Sequence, residues 1–259
     1  MEPRTVVADV ADELARRITA GDYQPGKLVP SVRQVAEEFE MNRATAQLVL
    51  GRLESYGFVE AERGKGFAIR DVWETGGVDV YRRLFRFSIP MPDTAIEMFR
   101  DIVEVERTLV LHALLRYTSS APPIAPPAEL KAGIGELELA AGQAVPDLRQ
   151  ILHIEIMLVR RMLTALGLPM QRAMLNSIGE MVLEVPEAVA AFFPSAPGLH
   201  ALLWRALAAV WDSGAGPTEA QLDLFENLFD AYHQRVITRF TELVGGVGER
   251  VGEPCAATA

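Results

Sequence analysis

The segment from Pro30 to Arg70, PSVRQVAEEFEMNRATAQLVLGRLESYGFVEAERGKGFAIR, constrains the fold more than any other part of the sequence. Ser31 and Asn42 are good N-cap residues, and each precedes a short stretch with apolar residues at helical spacing. The connection between the two stretches is too short for a comfortable antiparallel pair, so the helices must cross steeply. The sequence therefore predicts a helix-turn-helix.

A β-hairpin is predicted directly after the second helix. The stretches FVEAE and GFAIR alternate apolar and polar residues and flank RGKG, whose glycines suit a turn. Upstream, Val7, Val10, Leu14 and Ile18 recur at helical spacing. This order of elements predicts a winged helix-turn-helix over residues 1–72.

Such a unit places polar side chains where they can contact a DNA duplex. The start of the second helix faces a major groove, and the hairpin tip reaches a phosphate or a minor groove. The candidate DNA-binding residues are Arg33, Asn42, Arg43, Thr45, Gln47, Arg63, Lys65 and Gly66. The net charge of −10 argues against coating nucleic acid by bulk charge, but it does not exclude a small interface. Because one helix contacts few base pairs, we expect a homodimer on a palindromic double-stranded operator.

The segment LVPSVRQVAEEFEMNRATAQLVLGRLESYGFVEAERGKGFAI resembles the GntR family of bacterial transcription regulators. That family has a Leu-Pro-Ser-Glu-Arg pattern, a Val-Ser-Arg turn and a Gly-x-Gly wing. The resemblance implies that Arg33 and Arg43 contact DNA and that Gly64 and Gly66 belong to the wing. Gln47 stands where the family usually has an arginine that recognises guanine, and glutamine pairs more often with adenine.

The stretch DVWETGGVDV narrows the resemblance to the FadR-like subfamily of fatty-acid-responsive regulators, whose linker has a similar sequence. The resemblance implies a linker over residues 73–91, with Trp73 as a packing hinge and Gly76 and Gly77 absorbing the angle. A weaker similarity continues at ALGLPMQRAMLNSI, residues 165–178.

Beyond Pro92 the apolar spacing is almost entirely helical and predicts a bundle of six or seven helices over residues 92–244, followed by a flexible tail at 245–259. The predicted fold class is therefore mainly α: an N-terminal winged helix-turn-helix and a C-terminal all-α bundle. The resemblance implies that the bundle is an effector-binding and dimerisation domain.

In many relatives this domain binds a metal through one Asp and three His. The corresponding positions are Glu155, Val159, Arg205 and His233, which make a poor divalent site, so we expect neither a metal nor a cofactor. The resemblance implies a long-chain acyl-CoA effector, with an organic acid or a degenerate metal site as alternatives.

The candidate effector-binding residues are Arg107, Glu155, Asn176, Arg205 and His233. Arg107 could hold a carboxylate or phosphate, or it could pair within its own helix. By contrast, Trp204 and Trp211 are interpreted as core or dimer packing residues, and His112 and His200 as ordinary surface or core histidines.

Other function classes are less well supported. Cys255 is the only cysteine, so a disulfide framework is excluded within one chain, and no uncharged run is long enough to span a membrane; we expect a cytoplasmic protein. An enzyme using Glu155 and His233 as acid and base is one rival, although no nucleophile motif or phosphate loop accompanies them. A bundle used only for dimerisation is another. We expect a regulator rather than an enzyme.

Overall fold

Helices dominate the computed structural model, which describes residues 6–120, 128–213 and 217–251 and divides into two compact units between Met91 and Pro92. The first unit contains α1 (Val6–Thr19), α2 (Val32–Glu38), α3 (Arg43–Ser55), β1 (Val59–Glu62), β2 (Gly66–Ile69), α4 (Val72–Thr75) and α5 (Val78–Ser88). The predicted fold class, a winged helix-turn-helix followed by a helical bundle, is confirmed.

The core of the first unit forms around α3, which packs against α1, α2 and β1. Its inward residues Ala46, Val49, Leu50 and Leu53 are each no more than 1 % exposed, which confirms the apolar spacing that predicted this helix. The apolar face of α1 covers the same core.

Both helices of the helix-turn-helix begin at a capped residue, and a backbone hydrogen bond closes the turn between them. Ser31 and Gln34 form a capping box at the start of α2, and Asn42 accepts from the Thr45 backbone N–H at the start of α3. Between them Glu40 has a φ of 50°, and the Met41 N–H donates to the Ala36 carbonyl at 2.9 Å. Helix α2 thus ends in a Schellman-type turn with glutamate where glycine is usual.

The wing is an antiparallel hairpin in which Glu62 is paired with Gly66 and Val59 with Ile69. Gly64 and Gly66 have φ values of 77° and 124°, which explains why glycines flank Lys65 at the tip. Leu28 forms an additional antiparallel bridge to Ala68 on the other side of β2.

Residues 73–91, the predicted linker, are largely helical. Leu84, Phe85 and Phe87 of α5 are buried, and α5 packs against α1 inside the first unit. Trp73 is 48 % exposed, so within this unit it does not form the packed hinge that we expected.

The second unit is the predicted bundle, with seven helices among the described residues. They are α6 (Pro92–Thr118), α7 (Ala128–Ala141), α8 (Leu148–Ala165), α9 (Pro169–Leu183), α10 (Pro186–Ala191), α11 (Pro197–Ser213) and α12 (Glu219–Val251). Helix α6 packs against α8, α9 and α12, whereas α11 packs mainly against α7. The Phe99 and Phe240 rings stack at 3.9 Å between α6 and α12. Of the predicted tail, residues 245–251 continue α12 and residues 252–259 lie outside the described ranges.

Candidate nucleic-acid interface and ligand cavity

A cleft of about 700 Å³ lies between the start of α2, the middle of α3 and the wing. Arg33, Gln47, Lys65 and Gly66, four of the candidate DNA-binding residues, all line this cleft. The arrangement combines two cationic groups with an amide that can form two hydrogen bonds to a base edge.

Both cations of the cleft are paired with carboxylates. Arg33 Nε donates to Glu37 Oε1 at 2.8 Å, and Lys65 Nζ lies 2.9 Å from Glu62 Oε2. The hydrogen bond to Glu62 raises the pKa of the Lys65 ammonium and so favours its charged form. Because these pairs are largely exposed, exchanging a carboxylate for a phosphate costs little.

The remaining candidate DNA-binding residues lie on the same unit but outside the cleft lining. Arg43 and Arg63 are exposed, at the first position of α3 and at the hairpin tip. Asn42 Oδ1 accepts from the Thr45 N–H at 2.8 Å and lies 3.1 Å from Thr45 Oγ1, so these two side chains also hold the start of α3. Their capping role positions Arg43 and Gln47.

A second site is a cavity of about 550 Å³ inside the bundle, between α6, α8, α9, α10, α11 and α12. Most of its lining is apolar, as is usual for pockets that bind small molecules. Leu199, Leu202, Leu203 and Leu228 belong to this lining and are also substantially exposed, so the cavity opens to solvent between α11 and α12.

One polar cluster in the cavity is centred on Glu155. Its carboxylate lies 3.0 Å and 3.1 Å from His200 Nδ1 and accepts from Trp204 Nε1 at 3.0 Å. His200 and Trp204 are therefore part of the site, although neither is among the candidate effector-binding residues of the sequence. The sequence indicates only that His200 and Trp204, which are one helical turn apart on α11, lie on the same face of the helix. No short-range pattern connects them to Glu155.

A second cluster is centred on His233, which is only 2 % exposed. Its Nδ1 donates to the Phe229 carbonyl at 2.8 Å, and its Nε2 lies 2.9 Å from Glu106 Oε2. Neighbouring Tyr232 donates to the Phe192 carbonyl at 2.7 Å. Burial and the carboxylates Glu155 and Glu106 raise the pKa of Tyr232 well above its usual value, so this side chain remains neutral.

Of the candidate effector-binding residues, Glu155 and His233 line the cavity, whereas Arg107, Asn176 and Arg205 do not. Arg107 pairs across helices with Asp230 at 2.5 Å rather than within its own helix. Arg205 is 70 % exposed and lies 3.8 Å from Glu138, because its neighbour Trp204 occupies the inward side of α11. Neither arginine lines this cavity, so their contact with an effector stays a prediction.

Asn176 Oδ1 is buried and has no hydrogen-bond partner among the described residues, although its neighbours Leu175, Ile178 and Gly179 line the cavity. Glu155 and His233, the acid and base of the rival enzyme hypothesis, have different partners rather than each other. Within the described part of the chain, no group of three or more His, Cys, Asp or Glu could hold a metal ion.

Residues 7–69 match the profile of the family described as "Bacterial regulatory proteins, gntR family". The HTH-type transcriptional regulator Mce2R of Mycobacterium tuberculosis is 32 % identical over 81 residues, which cover 31 % of this chain and 34 % of that protein. The fatty acid metabolism regulator protein of Pasteurella multocida is 32 % identical over 80 residues, covering 30 % and 33 %. The chain thus matches about a third of the length of these relatives.

A longer match is to the fatty acid metabolism regulator protein of Shewanella sp. (strain MR-4), which is 24 % identical over 144 residues covering 42 % of this chain and 60 % of that protein. A solved structure titled "Lar controls the expression of the Listeria monocytogenes agr system and mediates virulence" covers 98 % of this chain with 15 % identity and a TM-score of 0.48.

None of the helices in the described ranges has the length and apolar character needed to cross a bilayer. The family match covers α1, the helix-turn-helix and the wing, the same residues that form the cleft. Residues 7–69 are therefore similar to the DNA-binding domain of the gntR family of bacterial regulatory proteins.

Proposed function

We propose that this regulator binds a palindromic operator as a homodimer and represses transcription until a small-molecule effector places an apolar chain in the bundle cavity. The observation that carries the DNA-binding half of this proposal is the cleft in which Arg33, Gln47 and Lys65 come together. Two such units related by a twofold axis would contact two half-sites and multiply the few base contacts that one helix can make.

In the proposed complex, the N-terminal end of α3 enters the major groove. Arg43 at its first position and Gln47 one turn later are both exposed on this helix. A glutamine amide forms paired hydrogen bonds with adenine, whereas arginine favours guanine. We therefore infer an operator with adenine at the position facing Gln47, and Gln47→Arg should shift the preference there towards guanine.

The first experiment is selection of binding sites from random duplexes by the full chain, followed by anisotropy titrations. The selected sites should contain an inverted repeat. Arg43→Ala should lose about 1–3 kcal/mol of binding free energy per half-site. Arg100→Ala, an exposed arginine on α6, serves as the control and should bind like the parent protein. Full operator affinity in the Arg43 variant would overturn the proposed interface.

The sensing half of the proposal is supported by the size and apolar lining of the bundle cavity. A long-chain acyl-CoA is our first candidate, because an acyl chain suits an apolar cavity that opens to solvent on one side. Arg235 lines the cavity and is exposed, so it could contact an anionic headgroup outside. The names of the Pasteurella and Shewanella relatives point to the same chemistry.

Effector action requires that ligand and operator binding be coupled. We propose that ligand binding favours a dimer geometry whose recognition helices no longer match successive major grooves. Hexadecanoyl-CoA should raise the midpoint of thermal unfolding and weaken operator binding, whereas coenzyme A alone should do neither. Operator binding that no ligand alters would instead support a bundle that serves only for dimerisation. Turnover of the thioester would support the enzyme hypothesis.

A further inference from the structure

The charged residues that line the bundle cavity disfavour a ligand whose polar group is negatively charged. The cavity lining contains two part-buried carboxylates, Glu106 and Glu155. Within the described ranges, Arg235 is the only arginine or lysine of the lining, and it is exposed. A ligand carboxylate inside the cavity would add a third anion with no arginine or lysine buried beside it, which is energetically costly.

Of the two histidines in the cavity, His233 has no nitrogen left for a ligand. Nδ1 donates to the Phe229 carbonyl, and Nε2 is hydrogen-bonded to Glu106 at 2.9 Å. Replacing either partner with a ligand would leave a buried polar group unsatisfied. The His233–Glu106 pair is therefore a closed structural contact between α12 and α6.

His200 differs because only one of its ring nitrogens is occupied. Nδ1 contacts both oxygens of Glu155, while Nε2 has no partner among the described residues. The His200 side chain lines the cavity and is 11 % exposed, so the ring is not sealed off from it. Packing against Phe193 and Tyr232 fixes the plane of the ring.

We propose that His200 Nε2 binds an uncharged hydroxyl group on an apolar ligand, with Glu155 and Trp204 as positioning residues that hold the imidazole. This inference rests on the proposed sensing function and specifies its ligand class. A hydroxyl both donates and accepts, so it can pair with Nε2 whether the ring is neutral or protonated. It also brings no charge into the cavity, unlike a carboxylate or an ammonium group.

The test is a calorimetric comparison of matched ligands with the full chain at neutral pH. Decanol, decanoate, decylamine and decyl methyl ether have similar apolar chains but differ in charge and hydrogen-bonding capacity. Decanol should bind about tenfold more tightly than the ether, which can only accept a hydrogen bond, and tighter still than decanoate. Decanoate or decylamine binding as tightly as decanol would overturn the hydroxyl assignment and leave the sensing function standing.

Two histidine variants locate the contact. His200→Phe keeps an aromatic ring against Phe193 and Tyr232 but removes both nitrogens, so the preference for decanol over the ether should disappear. His153→Phe changes an exposed histidine on α8 outside the cavity and should retain that preference. An unchanged preference in a folded His200→Phe protein would contradict the proposal. The wild-type ligand series remains decisive if that variant does not fold.

The hydroxyl could belong to a free alcohol or to a hydroxyacyl thioester, and operator release distinguishes these sources. A β-hydroxydecanoyl-CoA should release operator DNA more effectively than decanoyl-CoA if the thioester is the source. Decanol alone should release it if the source is a free alcohol. Failure of every ligand to bind a protein that still binds its operator would refute the sensing function and, with it, this assignment.

Discussion

The two units keep their charged groups paired in opposite ways. In the cleft of the first unit, the cations Arg33 and Lys65 pair with carboxylates on an exposed surface. In the cavity of the second unit, the part-buried carboxylates Glu106 and Glu155 contact the imidazoles of His233, which is buried, and of His200, which is part-buried. Exposed pairs contribute little to stability and exchange easily, whereas breaking a buried pair leaves an uncompensated polar group. The first arrangement suits contact with a polyanion, and the second suits a fixed cavity wall.

The largest effect on stability is expected when the Glu106–His233 pair of the bundle is broken. Glu106→Ala removes the partner of His233 Nε2 and should lower the free energy of unfolding of the bundle by about 2–3 kcal/mol. Urea titration followed by tryptophan fluorescence reports this, because Trp204 and Trp211 belong to the bundle. Glu104→Ala, an exposed position on the same helix, is the control. Equal stability of the two variants would mean that the His233 pair contributes nothing.

In the first unit, stability should depend more on backbone conformation than on charge. Gly57 has a φ of 84°, and a Cβ there would lie 2.8 Å from Val80 Cγ2, so Gly57→Ala should cost about 1–2 kcal/mol. Gly51, inside α3, has open space around it, and Gly51→Ala should stabilise the unit by about 0.5–1 kcal/mol. Opposite signs for the two alanines, measured by thermal unfolding, would support this account; two losses would contradict it.

A smaller gain is expected at the turn of the helix-turn-helix. Glu40 occupies a left-handed conformation that glycine adopts without strain, so Glu40→Gly should raise the free energy of unfolding by about 0.5 kcal/mol. Glu40→Val should lower it, because a β-branched residue is strained there. Chemical denaturation of the two variants provides the comparison, and a Val variant as stable as the Gly variant would argue against the turn geometry.

The smallest effect on stability is expected from the exposed pairs themselves. Glu37→Gln removes the charge partner of Arg33 and should change the free energy of unfolding by less than about 0.5 kcal/mol. Operator affinity should rise, because Arg33 no longer exchanges a carboxylate for a phosphate. Glu97→Gln on α6 is an exposed control that should alter neither quantity. A large loss of stability in the Glu37 variant would break the contrast between the two units.

The features of the first unit that could be predicted from the sequence depend on local contacts, whereas the cavity of the second unit depends on long-range contacts. The caps at Ser31 and Asn42 and the glycines of the wing act within a few residues, so local patterns located them. The cavity depends on contacts between residues far apart, such as Glu155 with His200 and Glu106 with His233, which are separated by 45 and 127 positions. Its inner wall also depends on the rotation of α11, which tertiary packing sets. Periodicity alone therefore could not decide between Trp204 and Arg205.

Helices α6 and α12 contact each other through two pairs of side chains at different positions along their length. Phe99 stacks on Phe240, and Glu106 pairs with His233, so the two contacts are seven residues apart on each helix. Sliding or rolling of α12 against α6 would have to disrupt an aromatic stack and a buried hydrogen bond together. The opening of the cavity lies beside α11, whose leucines border it and which packs mainly against α7. Helix α11 also contributes His200 to the lining.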